Sequence, residues 1–287
     1  MNLEFADGFL HLFFYRKIIF DKMNGKVVCI TGGNGTIGSA LAEGMAKAGA
    51  KVFILARNEE KSKAVVAELQ SKNLDVDYIV CDVLDQETTE AAVDQVLEKA
   101  GRVDVLINGA GGNMSGATIM PNQTIFDLEI DQFKKVNDLN LLGTVIPTKA
   151  FARPMVDQKQ GCIINISSMS AISPMTRVVG YSASKAAVDN FTKSMAVELI
   201  SKYGEGIRVN AIAPGFLVAD QNRALLMNED GSLTDRGNTI ISQTPMRRFG
   251  KPEELVSTVL WLCDDKSSFI TGIIVPIDGG FSAFSGV

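Results

Sequence analysis

Histidine is the scarcest chemical resource of this chain: 287 residues contain one, His11. A Ser-His-Asp hydrolase or a histidine-ligated zinc enzyme would have to take it from the extreme N-terminus, ahead of any recognisable fold. Both classes are therefore set aside, and no metal is expected. Cysteine is nearly as scarce. Cys29, Cys81, Cys162 and Cys263 are scattered without C-x-x-C spacing, and three of them sit in apolar strand-like runs. This pattern reads as reduced core thiols of a cytosolic protein, not as a disulfide frame or metal site. Positive charge is also in deficit. Twenty-eight Lys and Arg stand against 33 Asp and Glu, a net charge of -5, which leaves no basic field for nucleic acid.

Long uninterrupted apolar runs are missing too. The segment Phe9 to Phe20, FLHLFFYRKIIF, raises the question of a membrane or export signal, but Arg16 and Lys17 interrupt it. The basic residues follow the apolar run instead of preceding it, and no small-residue cleavage site comes next, so no membrane partner is expected. Residues 1–22 read as an extension. It is either an arm packed on the domain or a neighbouring subunit, or a poorly ordered stretch upstream of a natural start at Met23. The arm is preferred, because free exposure of so many aromatics invites aggregation.

From Lys26 onward short β-branched runs alternate with longer Ala-rich amphipathic stretches. Strands are predicted at Lys26 to Thr31, Lys51 to Ala56, Val76 to Val80, Val103 to Asn108, Cys162 to Ser167, Ile207 to Ile212 and Ile273 to Pro276. Helices are predicted at Ser39 to Ala48, Glu60 to Ser71 and Thr88 to Ala100. This alternation implies an α/β fold: a single-domain, Rossmann-type, doubly wound parallel sheet of about seven strands with helices on both faces. No Pro/Gly-rich linker divides it, so residues 23–287 are read as one domain.

The first strand runs into Thr31-Gly32-Gly33-Asn34-Gly35-Thr36-Ile37-Gly38 and then a helix. Glycines let the backbone approach a pyrophosphate, and a helix N-terminus offers unpaired N–H donors and a favourable dipole. The same string could be a tight turn that packs a helix on a strand; its place after the first strand of a βαβ unit favours dinucleotide binding. The second strand ends at Ala56-Arg57. Ala56 occupies the position of the usual ribose-binding acid, and an arginine there accommodates a 2′-phosphate. NADP(H) is thus favoured over NAD(H), with a solvated Arg57, or one stacked on adenine in an NAD enzyme, as the alternatives.

These residues resemble the short-chain dehydrogenase/reductase family. Thr31-Gly32 through Ile37-Gly38 is similar to its T-G-x-x-x-G-x-G turn, with Thr36 in place of the middle glycine. Asn108-Gly109-Ala110-Gly111 resembles its N-N-A-G segment, with Gly109 in place of the second Asn. The likeness continues through Asn140, Ser168, Tyr181-x-x-x-Lys185 and Pro214-Gly215 to the C-terminus. It implies cofactor contacts from Gly32, Asn34, Thr36, Ile37, Gly38, Arg57, Asp82, Val83, Asn108, Ala110, Gly111, Tyr181, Lys185, Pro214 and Gly215. It implies a catalytic set of Asn140, Ser168, Tyr181 and Lys185, with Asn140 holding a water between Lys185 and solvent, and it implies a homotetramer.

Physical chemistry bears on the same residues. Tyr181 and Lys185 are four apart in a predicted helix and share a face, where a fixed ammonium favours the phenolate. Bringing a tyrosine from about 10 to about 7 takes roughly 4 kcal/mol, which Lys185 and an oxidised nicotinamide are expected to supply. Ser168 follows the fifth strand at the carboxyl edge, where open α/β sheets bind ligands. Taken singly, each residue also has an ordinary structural use, such as a cap, a turn or a solvated helix position.

The stretch 215–243, between the sixth strand and the last helix, is expected to cover the substrate. Its amides and cations, with Gln221, Asn222, Arg223, Asn228 and Arg236 among them, suit a small polyhydroxylated anion. Arg223 is the candidate to pair with a carboxylate, and Asn113 the candidate for substrate hydroxyls. The runs Gln221-Asn222-Arg223, Asn228-Glu229-Asp230-Gly231, Thr244-Pro245-Met246 and Asp278-Gly279-Gly280 resemble the D-mannonate oxidoreductase, or fructuronate reductase, branch. That resemblance implies interconversion of D-mannonate and D-fructuronate. The usual threonine after Pro-Gly appears as Ala219. Rival readings are a reductase for a ketogluconate or a 3-oxoacyl thioester, and a catalytically idle nucleotide-sensing protein on the same fold.

Overall fold

The computed structural model describes residues 23–219 and 222–286. The expected N-terminal arm and His11 lie outside the described residues. Seven strands form one sheet: β1 (Val27–Thr31), β2 (Lys51–Ala56), β3 (Val76–Val80), β4 (Val105–Asn108), β5 (Gly161–Ile166), β6 (Ile207–Pro214) and β7 (Ile274–Ile277). All pairings are parallel, in the order β3-β2-β1-β4-β5-β6-β7.

The central strands are unbroken apolar runs because they are covered on both sides. Alternate residues serve opposite faces. Val28, Ile30, Val52, Ile54, Ile107 and Ile164 pack with helices α1 (Thr36–Lys47), α2 (Glu59–Ser71) and, near the C-terminus, α10 (Val256–Cys263). Val27, Cys29, Phe53, Leu55, Leu106 and Ile163 pack with α3 (Gln86–Ala100), α5 (Gly143–Gln158) and α7 (Val179–Tyr203). The intervening helices are α4 (Ile130–Asn137), the four-residue α6 (Met169–Ile172) and α8 (Arg223–Leu226), and α9 (Asp235–Gln243). All four cysteines are buried and unbridged.

Element ends differ from the sequence reading by up to three residues, for local reasons. Helix α3 begins at Gln86 because the Asp85 carboxylate accepts the N–H groups of Glu87 and Thr88. Strand β4 begins two residues late because the buried Asp104 side chain takes the Val27 N–H at 2.8 Å. Strand β5 stops at Ile166, and Ser168 caps α6 by accepting the Ser170 N–H.

One feature of the fold decides where a ligand can enter. The chain leaves β1 toward β2 and leaves β4 toward β5, in opposite directions, while Thr31 and Asn108 pair at the carboxyl ends of β1 and β4. A crevice opens at that switch point. A π-helical turn, Asp138–Leu142, interrupts the long helical run between α4 and α5 beside it.

Candidate active site

The glycine turn is held by close backbone contacts. Gly32 has a φ of 65°, and a Cβ there would lie 2.8 Å from the Ala110 Cα. A Cβ on Gly38 would lie 2.3 Å from the Gly32 carbonyl oxygen. The Thr31 hydroxyl accepts the N–H groups of Gly109 at 3.1 Å and Ala110 at 3.2 Å, tying the β1 end to the β4 end. That role for Thr31 is invisible in the spacing alone; the threonine opening the turn was its signal.

Helix α1 begins at Thr36 with no side-chain cap and no acidic residue in its first turn. Helices α2, α3 and α9 are each capped by a side chain, from Asn58, Asp85 and Thr234. The amides of Thr36, Ile37 and Gly38 therefore have neither an intrahelical nor a side-chain acceptor. That donor set fits a dinucleotide pyrophosphate. Asn34 works indirectly: its amide donates to the Asn58 carbonyl at 3.2 Å and to the Ser62 hydroxyl at 3.0 Å, which anchors the turn to the start of α2.

At the adenosine end, the exposed Arg57 guanidinium lies 3.9 Å from the Asp82 carboxylate. Asp82 also accepts the Leu84 N–H at 3.0 Å. Val83 is buried against Gly143. Asn108 does not present its side chain to the crevice. Its amide donates to the Thr148 hydroxyl at 2.9 Å and to Asn165 Oδ1 at 2.8 Å, and Asn165 in turn donates to Thr192. This buried polar ladder fixes β4 and β5 to α5 and α7, and the sequence reading missed it.

Helix α7 brings Tyr181 and Lys185 to the carboxyl edge. The Lys185 ammonium lies 5.7 Å from the Tyr181 ring centroid and donates to the Ile166 carbonyl at 2.7 Å. Ser168 lies near enough to the Tyr181 phenol to act on its titration. Ser168 is buried and held by the Ser170 N–H at 3.1 Å and the Ser170 hydroxyl at 3.0 Å.

Electrostatics differ here from the expectation. Burial pushes the Tyr181 phenol up, with the Ser168 contact working against it. Burial also pulls Lys185 down to about 8, against the pull of Asp189. The ammonium faces the Tyr181 ring, and without a nicotinamide the phenol is governed by burial and Ser168.

Asn140 sits on the π turn, buried. Its side chain accepts the Gly112 N–H at 3.0 Å and donates to the carbonyls of Gly112 and Val136, both at 2.8 Å. It therefore pins the Gly111–Gly112 backbone. A Cβ at Gly111 would lie 2.6 Å from Asn140 Oδ1 and 3.3 Å from Lys185 Nζ. The side-chain amide and oxygen of Asn140 are thus both engaged by protein groups, and its backbone carbonyl accepts the Thr144 hydroxyl at 2.8 Å.

Pro214 ends β6, and the Gly215 N–H donates to Ile277 at 2.9 Å while its Cα packs on Asp278. Ala219, in the place of the threonine, donates its N–H to Asn222 Oδ1 at 2.8 Å. Residues 222–243 form α8, a Met227–Leu233 bridge and α9. Asn113 is exposed and donates to Thr118 at 2.9 Å. Arg223 is exposed at the start of α8 and makes no ion pair among the described residues.

A parallel sheet, an uncapped glycine-turn helix and a Tyr-Lys-Ser cluster at one edge define a nicotinamide-dependent oxidoreductase site in chemical terms. Comparison with known proteins agrees: residues 26–230 match the short chain dehydrogenase family, and the chain belongs to it. It is an NAD(P)-dependent enzyme acting on CH–OH groups of a small molecule. It is 45% identical to the Bacillus subtilis protein called uncharacterized oxidoreductase UxuB, across 94% of this chain and 99% of that one. It is 42% identical to an uncharacterized oxidoreductase of Haemophilus influenzae, across 92% and 96% of the two chains. A solved Haemophilus structure, provisionally named a D-mannonate oxidoreductase and holding NAD, superposes with a TM-score of 0.86 at 41% identity, over 94% of this chain and all of that one. Among the described residues no helix is long and apolar enough to cross a membrane.

Proposed function

We propose that the chain interconverts a sugar-acid alcohol and its ketone, D-mannonate and D-fructuronate, in the cytoplasm, as a homotetramer and with NADP(H) favoured over NAD(H). The observation that carries the chemistry is the meeting of Tyr181, Ser168 and Lys185 at the open edge of the sheet, with the Lys185 ammonium 5.7 Å from the Tyr181 ring centroid. When bound, the nicotinamide supplies or accepts the hydride. Ser168 orients the substrate oxygen. Tyr181 delivers a proton to it in reduction and removes one in oxidation. Lys185 holds Tyr181 and the nicotinamide ribose, and Asn140 positions the adjacent Gly111–Gly112 backbone.

The substrate reading is supported by the polar stretch after β6 and by the name of the Haemophilus neighbour. The NADP reading is supported by Ala56 in the acidic position and by the exposed Arg57 next to it, held near Asp82. Gly32, Thr36, Ile37, Gly38, Ala110, Gly111, Pro214 and Gly215 supply backbone contacts in this scheme, and residues 215–243 cover the substrate.

The test is nicotinamide absorbance with D-fructuronate, using NADH and NADPH in parallel, for the wild type and for Tyr181→Phe. We expect turnover with both and a higher kcat/KM with NADPH. Tyr181→Phe should lower kcat by about 10²-fold or more and leave cofactor binding in place. Wild-type-like turnover by Tyr181→Phe would defeat the mechanism. A wild type active on 3-oxoacyl thioesters and inert toward sugar acids would defeat the substrate.

A further inference from the structure

Two half-buried arginines, Arg177 and Arg236, sit in segments that follow the carboxyl ends of β5 and β6 and have no carboxylate partner among the described residues. Arg177 lies four residues before Tyr181, in the loop between α6 and α7, which leaves the β5 end of the sheet. Arg236 lies in the first turn of α9, in the excursion that leaves the β6 end. Both segments emerge at the carboxyl edge of neighbouring parallel strands, the edge that also carries Ser168 and Tyr181.

Their backbones are fixed. Arg177 has a φ of 76°, the left-handed region that a residue with a branchless but bulky side chain enters at a cost on the order of 1 kcal/mol. Its carbonyl accepts the Ile119 N–H at 2.9 Å, which ties it to the loop after β4 that also carries Asn113. Arg236 is half-buried between two anchors. Thr234 accepts the Gly237 N–H at 3.0 Å, and Gly237 packs so tightly on α8 that a Cβ would lie 2.3 Å from the Leu226 carbonyl oxygen.

The charge of Arg177 reaches Arg236. Burial pulls Arg236 below the usual arginine range, and the charge of Arg177 pulls it further in the same direction. Neither side chain forms an ion pair among the described residues, although Arg57, Arg102 and Arg248 all do. Half-buried like charges with no counter-charge are unfavourable until an anion joins them.

We propose that Arg177 and Arg236 form a two-armed subsite for the substrate carboxylate, the role the sequence suggested for Arg223. The inference rests on the sugar-acid reading above. Planar guanidiniums from two loops can grip one carboxylate from both sides. Arg223, exposed on a four-residue helix, would offer one solvated charge, worth far less.

The experiment measures steady-state kinetics of D-fructuronate reduction for Arg177→Gln, Arg236→Gln and the double variant, with NADPH binding and thermal stability as controls on folding. Each single variant should raise KM by about tenfold or more, with a much smaller change in kcat and unchanged NADPH binding. Arg177→Lys should recover only part of the loss, because it keeps the charge without the fork. Unchanged KM in both single variants, or a loss found only in Arg223→Gln, overturns the subsite and leaves the sugar-acid reading intact. A wild type that turns over no sugar acid overturns that reading instead. The subsite is then judged by calorimetric binding of D-gluconate: loss of binding in the double variant sustains it, and no binding to the wild type overturns it.

Discussion

At the scale of single residues, Lys185 carries the clearest physical signature. An unfolded lysine titrates near 10.4, whereas burial lowers Lys185 to about 8 in the native protein. Below pH of about 8 both states hold the proton, and the native state bears the whole cost of a buried ammonium. Between about 8 and about 10.4 the native state releases the proton while the unfolded chain keeps it, so this group makes stability rise with pH. Comparing urea unfolding of the wild type and Lys185→Met at pH of about 7.5 and about 10 isolates that contribution, since the other titrating groups cancel. The difference should move toward the wild type by up to about 3 kcal/mol; a pH-independent difference would refute the assignment. The meeting of Tyr181, Lys185 and Ser168 at one edge of the sheet was legible in the sequence because spacing on a helix and position at a strand end are local facts. Their electrostatics were not. The position of the ammonium is held by the Ile166 carbonyl, nineteen residues away in sequence. The same reason hid the Asn108–Asn165–Thr192 ladder, which joins distant segments, and the electrostatic influence of Arg177 on Arg236.

At the scale of elements, the strands were the easiest to read, because parallel strands covered on both faces leave continuous β-branched runs. Helix starts were less clear, since caps such as Asp85 lie outside the apolar period. The π turn at Asp138–Leu142 has no periodic signature of its own, yet it is what aims Asn140 at Gly112. Such turns are frequent at functional sites. The glycine turn allows a sharper test of why each glycine is there. A Cβ on Gly38 would press on backbone, 2.3 Å from the Gly32 oxygen and 2.7 Å from the Gly33 Cα, whereas one on Gly35 would come no closer than 3.3 Å. Gly38→Ala should therefore cost about 1–3 kcal/mol of stability and weaken dinucleotide binding sharply. Gly35→Ala, at a φ of -87°, should cost less on both counts. Chemical denaturation and titration of nicotinamide fluorescence would check the pair; equal effects from the two substitutions would mean that the close packing of Gly38 does not matter.

At the scale of the whole molecule, one chain supplies Asn140, Ser168, Tyr181 and Lys185, so assembly and chemistry should be separable. Helix α7 turns Ser184, Lys185, Val188, Thr192, Ala196 and Leu199 inward, but Val197 remains 67% exposed on its other side, and Phe269 near β7 is fully exposed. Apolar side chains left in water on a helix that also carries the site are what a subunit interface would cover. Light scattering should therefore report a particle of four chains. Val197→Glu would bury a carboxylate at each such contact, where desolvation without a partner is costly, and should shift the assembly to smaller species. Because the four proposed catalytic residues come from one chain, the dissociated variant should keep kcat within a few-fold of the wild type. A wild type that is monomeric at micromolar concentration would remove the interface from α7, and a variant that dissociates and loses turnover would show that α7 needs its neighbour to hold Tyr181 in place.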